Sequence, residues 1–214
     1  MPRNNNLEGL ILWLLLILAA FGLTSCQAEE VPELTVYQKI HERLVNLGTY
    51  RARATIEYIS NKGTNTYETI QHGRITGEYR IEVTGPEHVA GSITSFDGQQ
   101  IYQFSTRVNG RVAILADESK ERSEIFLTSF IRNWLTGQES SVMATSMDEG
   151  QYTVLEAGIP GSHPYLATQK LWISNETLLP TKMVIIDPQG IERVIVTYHR
   201  FEYNIELDDA LFAV

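Results

Sequence analysis

The sequence predicts an α+β fold: a single large curved antiparallel sheet, a half-open barrel, with helices packed on its concave face. Three observations lead there. From Tyr50 onward apolar and polar residues alternate with a period of two through most of the chain. The strand-like stretches are joined by links of hairpin length, which excludes repeated βαβ units. Only two stretches carry a helical period, one ahead of the strands and one in their midst. With 43% hydrophobic and 20% charged residues, and only 7 Pro and 15 Gly in 214, the composition is that of a globular chain.

The amino-terminal segment is read apart from the fold. Arg3 gives a weakly positive start, Glu8 runs against a standard signal, and Leu10 to Leu23 is almost wholly apolar. That run is short of the roughly 20 residues of a membrane span and suits the core of a signal peptide. It ends at Leu23-Thr24-Ser25-Cys26, which resembles the lipobox of bacterial lipoproteins, where cleavage leaves the cysteine as a lipidated new N-terminus. Cys26 is the only cysteine, so it cannot form a disulfide within the domain. Expected are a signal peptide over residues 1–25, an acidic tether over 26–34 and a domain over 35–214. A covalent diacylglycerol on Cys26 would hold the chain to the outer face of a membrane, outside the cytoplasm, since two acyl chains anchor stably where one does not. Two readings compete: a short uncleaved anchor over residues 9–25, or an ordinary cleavage site beside which Cys26 is incidental.

A first helix is expected after the tether. Thr35 and Gln38 have capping-box spacing, Tyr37, Ile40, Leu44 and Leu47 recur near the helical period, and Gly48 stops it. Tyr50 to Tyr58 then alternates as a half-buried strand, and Asn61-Lys62-Gly63 turns it into Thr66–Gln71. Tyr79, Ile81 and Val83 alternate with Glu78, Arg80 and Glu82 in the clearest strand of the chain. Asp97-Gly98 and Asn109-Gly110 read as type I′ turns, which need positive φ at both central residues, joining strands at Ile93–Phe96, Ile101–Phe104 and Val112–Leu115. A second helix is expected from Glu118 to Leu135, with Phe126, Leu127, Phe130, Ile131, Trp134 and Leu135 as a wide aromatic stripe closed by Gly137. Strands follow at Val142–Met147, Tyr152–Ile159, Thr168–Ser174, Lys182–Asp187 and Glu192–Tyr198, with Phe201–Ile205 as an extension.

Charge and motif content narrow the chemistry. With 26 acidic residues against 17 basic the net charge is −9, which repels nucleic acid and anionic head groups. The 5 histidines, at 41, 72, 88, 163 and 199, are not at metal-ligand spacing from one another. There is no nucleophile elbow and no phosphate-binding loop; Ser92 and Ser162, each after a glycine, read as turn or strand residues. Glu68, Glu78 and Glu82 read as the solvated face of strands, Asn175-Glu176-Thr177 as a turn, and Asp208-Asp209 as a solvated terminus, with the cap of a last turn or a contact to a cation as the alternative. No enzyme is expected, and no cofactor or metal.

Several stretches carry a resemblance. Tyr79 to Pro86 is an alternating strand ending in a proline loop, followed by Asp97-Gly98-Gln99-Gln100-Ile101-Tyr102. Later come Lys170-Leu171-Trp172-Ile173-Ser174, Leu179-Pro180-Thr181-Lys182 and Asp187-Pro188-Gln189-Gly190. In this order they are similar to the LolA/LolB-like lipoprotein carrier superfamily. Thr128 to Leu135 and Phe201 to Phe212 resemble the clostridial germination lipoproteins and their relatives. The resemblance runs from about Tyr37 to the end and rests on order and spacing rather than on one motif. It implies a half-open barrel whose apolar concavity is lidded by helices, and two alternative roles. One is a noncatalytic lipoprotein that positions or activates an envelope or spore-cortex enzyme, such as a peptidoglycan amidase, or pairs with another lipoprotein. The other is a carrier or acceptor that holds acyl chains.

Both roles turn on the same residues. Tyr50, Ile56, Tyr58, Tyr79, Ile81, Val83, Phe126, Phe130 and Trp134 either line a cavity for an acyl-chain ligand or form a filled core. The edges of an open sheet also offer a homodimer contact.

Overall fold

A computed structural model describes residues 35–107, 110–115, 123–137, 139–147 and 150–213. Cys26, the leader and the tether lie outside the described residues, as does Asn109 of the second expected turn.

The first helix, α1 (Val36–Val45), starts where its capping box puts it. The Thr35 hydroxyl accepts from the Gln38 N–H, and Gln38 Oε1 accepts from the Thr35 N–H, so two orphan donors are satisfied reciprocally. Ile40 and Leu44 are buried, while Tyr37 stands in solvent, contrary to its place in the expected stripe. The helix closes on Asn46 rather than Gly48.

Among the described residues eleven strands form one antiparallel sheet: β1 (Thr49–Ser60), β2 (Gly63–Arg74), β3 (Tyr79–Gly85), β4 (Ile93–Phe96), β5 (Gln100–Ser105), β6 (Gly110–Leu115), β7 (Ser140–Met147), β8 (Gly150–Gly158), β9 (Thr168–Ser174), β10 (Pro180–Ile186) and β11 (Glu192–Tyr203). Their order across the sheet is β6-β5-β4-β3-β2-β1-β11-β10-β9-β8-β7. Two meanders therefore meet at the β1–β11 seam, and the sheet ends in β6 on one side and β7 on the other. The α2 helix (Leu127–Thr136) lies in the link between those two edges, so the chain must cross the sheet there. Its buried residues share one core with the inward positions of β1, β3, β8, β9, β10 and β11, which places it in the concavity. The expected class, a half-open antiparallel sheet with helices on its concave face, is the one observed.

Several expectations are corrected in detail. Of the second expected helix, α2 is described from Leu127, and the expected start at Glu118 lies outside the described residues. Phe126 is extended (φ −95°, ψ 141°) with no side-chain cap, so it precedes the helix instead of riding on it. Leu135 is 48% exposed and falls outside the stripe. Gly137 does close the helix, but by closeness rather than by a left-handed turn: its φ is −73°, and a Cβ there would sit 2.5 Å from the Asn133 carbonyl oxygen. At Asp97-Gly98 only Gly98 has positive φ (97°). The Asp97 carboxylate accepts from the N–H groups of Gln99 and Gln100 and does part of the work a second left-handed residue would do. Glu192–Tyr198 and Phe201–Ile205 are one strand to Tyr203, bent at a register shift that leaves His199 opposite the Arg53/Ala54 step. Of the two readings of Asp208-Asp209, Asp208 takes the capping one, closing a short 3₁₀ turn through the Ala210 N–H, while Asp209 stays solvent-exposed and pairs with Arg74 at 2.6 Å.

Candidate functional site: a cleft in the concave face

The degree of covering, not alternation, divides the nine candidate residues. On β1, Tyr50, Ala52, Ala54 and Ile56 face inward and are buried. The Tyr50 ring lies over Gly73 on β2, its partner in register; a Cβ on Gly73 would come within 2.4 Å of Tyr50 Cε1. The Tyr50 hydroxyl donates to Gln71 Oε1 at 3.4 Å and accepts the Leu127 N–H at 3.3 Å, giving the uncapped α2 N-terminus an acceptor. Burial, with the nearby Tyr198 hydroxyl second, pushes the Tyr50 phenol well above its usual range, although the Leu127 N–H acts the other way. Tyr50 therefore stays neutral as both donor and acceptor.

The α2 helix is buried on almost every side: Leu127, Thr128, Ser129, Phe130, Ile131, Asn133 and Trp134 are all covered. Asn133 Nδ2 donates to Gln169 Oε1 and to Glu124 Oε2, each at 2.8 Å, and Gln169 Nε2 donates to the Glu124 carbonyl at 2.6 Å. This network ties the helix and its approach segment to β9. Burial raises the Glu124 carboxyl above its ordinary value, while the Asn133 bond and the Arg132 charge oppose the shift. Trp134 meets His41 of α1 edge-on at 5.5 Å, joining the two helices. Tyr50, Phe130 and Trp134 are thus core, with Phe130 wholly covered and Trp134 at 7% exposure.

Beyond Phe126 the filling stops. The described residues leave a cleft of about 870 Å³ over the other half of the concavity, lined by Ile56, Tyr58, Tyr79, Ile81, Val83 and Phe126 of the nine candidates. Phe126 stacks on Tyr79 at 4.3 Å and forms the inner wall. The volume lies within the roughly 300–1,000 Å³ usual for small-ligand sites.

Sequence reading did not identify the rest of the lining. Thr94 comes from β4, Tyr67 and Thr69 from β2, and Asn61 and Lys62 from the tip of the first hairpin. His163, Tyr165 and Leu166 come from the loop between β8 and β9, and Arg193 from the start of β11. The partner of Thr94 in register is Ile81, so pairing places it on the inward face. The loop had no periodic signal, and Arg193 falls on the outward phase of a strand reading. Among the described residues no three His, Cys, Asp or Glu side chains come together as a possible metal site.

Fold and site together define a class: an open antiparallel half-barrel, its concavity filled by a helix on one side and left as an apolar cleft on the other. More particularly, residues 7–212 match the family model for YdcC-like sporulation proteins, and the chain belongs to that family. Its fold is similar to that of an uncharacterised conserved protein from Thermus thermophilus, at 14% identity over 84% of this chain and 94% of that one, with a TM-score of 0.52. It also matches a chain of the Clostridioides difficile CwlD amidase–GerS lipoprotein complex, at 28% identity over 82% and 99% of the two chains, with a TM-score of 0.49. A third match is the LolA-superfamily protein NE2245 from Nitrosomonas europaea, at 13% identity over 84% and 98%, with a TM-score of 0.45. No curated protein sequence matches the chain significantly. No helix among the described residues is long and apolar enough to cross a membrane.

Proposed function

We propose that this sporulation-family protein is a noncatalytic, extracytoplasmic binding protein that holds the apolar chain of an amphiphile in its cleft, tethered to the membrane by lipid on Cys26. The observation that carries the reading is the cleft of about 870 Å³, whose floor is inward-facing apolar side chains left only partly covered. Apolar surface of that kind gains about 0.8 kcal/mol per methylene buried, so a chain of a dozen carbons has ample driving force. Affinity should therefore rise roughly fourfold per added methylene until the cleft is full. The test is native mass spectrometry of the full chain extracted gently from its own host's membranes. One amphiphile per chain beyond the Cys26 modification is the expected result; a protein carrying only that modification overturns the reading.

A second reading is favoured by membership of a sporulation family and by the likeness of Thr128 to Leu135 and Phe201 to Phe212 to germination lipoproteins. In it the chain positions a spore-cortex enzyme such as a peptidoglycan amidase. A stoichiometric second polypeptide in the same extraction supports it, and repeated recovery without one counts against it.

A further inference from the structure

The cleft departs in charge from the chain that builds it. The sequence holds 26 acidic residues against 17 basic, yet among the described residues the cleft lining contains Lys62 and Arg193 and not one Asp or Glu. Arg193 is there by construction. The register of β10 against β11 shifts between Ile185 and Ile186, so Arg193 has no residue opposite it and is the extra residue of a bulge. A bulge re-aims a side chain off the alternation of its strand, and Arg193 joins Val194 along the cleft.

The guanidinium is then fixed from one edge. Its Nε donates to Asp187 Oδ2 at 2.6 Å, and Asp187 Oδ1 accepts the N–H groups of Gln189 and Ile191 at 2.9 Å each. The group lies over the Tyr165 ring at 5.5 Å, with its side chain 14% exposed. Its one hydrogen bond among the described residues is through Nε, so both Nη groups keep donors for a ligand. A held, half-used guanidinium fork matches a carboxylate or a phosphate. Lys62, at the exposed hairpin tip, adds a second positive charge at the same cleft.

We infer that the cleft takes a single-chain amphiphile with an anionic head group, its head bonded to Arg193 and attracted by Lys62, its chain running along Ile81, Val83 and Phe126. This rests on the reading of the cleft as an apolar-chain site and adds the chemistry of the head. Its test is a titration of the full chain in detergent, followed by native mass spectrometry, with palmitate, lysophosphatidylglycerol and uncharged monopalmitoylglycerol. At least one anionic probe should bind about tenfold more tightly than the uncharged one, the size of a charge-assisted hydrogen bond. Whichever of the two binds better tells a carboxylate from a phosphate head. Lys62→Gln, at a solvent-exposed tip, should cost the anionic probe a few-fold and the uncharged one nothing. Arg193→Lys, which keeps a cation beside Asp187 but removes the fork, should erase most of the preference. Equal binding of all three probes overturns the head-group inference and leaves the cleft reading standing. Failure of every probe to bind one-to-one overturns both.

Discussion

On the β8–β11 side of the concavity, Leu155, Leu171, Ile173, Met183 and Ile185 are all fully covered. On the β2–β4 side, Ile81, Val83 and Thr94 point into the same concavity and remain partly open. The strands of both sides carry the same alternation, so strand pattern does not make the difference. The helix does. Asn133 fastens α2 to Gln169 on β9, its apolar faces fill that half, and Phe126 ends the filling against Tyr79. A core and a binding cleft can thus be made from one continuous apolar face, according to where a single helix is pinned.

The contrast can be broken most strongly on the filled side. Phe130→Ala removes a wholly covered ring and should cost about 3–5 kcal/mol in chemical denaturation. Gly73→Ala, on β2 beneath the Tyr50 ring, forces Tyr50 off its seat and should cost about 1–3 kcal/mol, with loss of the acceptor for the Leu127 N–H. Val83→Ala, on the open side, should cost less than about 1.5 kcal/mol, because the side chain is only partly buried to begin with.

Acid titration sharpens the contrast further. Burial, together with the charges of Arg51 and Arg80, lowers His72 on the outer face from 6.5 to about 4, against the pull of Glu82. A depressed histidine favours the folded state fully above pH 6.5 and loses that contribution as pH falls toward 4. His72→Gln should flatten the stability profile across that window and leave ligand binding unchanged. Burial alone would raise the Asp187 carboxyl, but bonds from the Ile191 N–H, Arg193 and the Gln189 N–H, with the Arg193 charge, hold it below the ordinary carboxylate value. Its contribution is present above about pH 4 and lost as pH falls below that.

Much of the sheet was legible because alternation, Gly-containing turns and a capping box are local signals. Thr168–Ser174 and Ile93–Phe96 fall where period two puts them. The site was half legible. Inward phase identified Ile56, Tyr58, Tyr79, Ile81 and Val83, but phase cannot tell a covered position from an open one. Tyr50, Phe130 and Trp134 became core because Asn133 and Glu124 anchor α2 to Gln169, a residue 36 positions from Asn133 in sequence. Arg193 was illegible for a different reason. A bulge is one extra residue in a pairing register, and register belongs to two strands at once.

The most direct test of the account fills the cleft and leaves the core alone. Val83→Trp places a large ring in the open half, away from Phe130 and Trp134. Wild-type and variant chains, each extracted from host membranes and weighed by native mass spectrometry, should share any modification of Cys26 and a similar melting temperature. One bound amphiphile on the wild type and none on the variant is the expected result. An amphiphile retained by Val83→Trp, or absent from both, would contradict it.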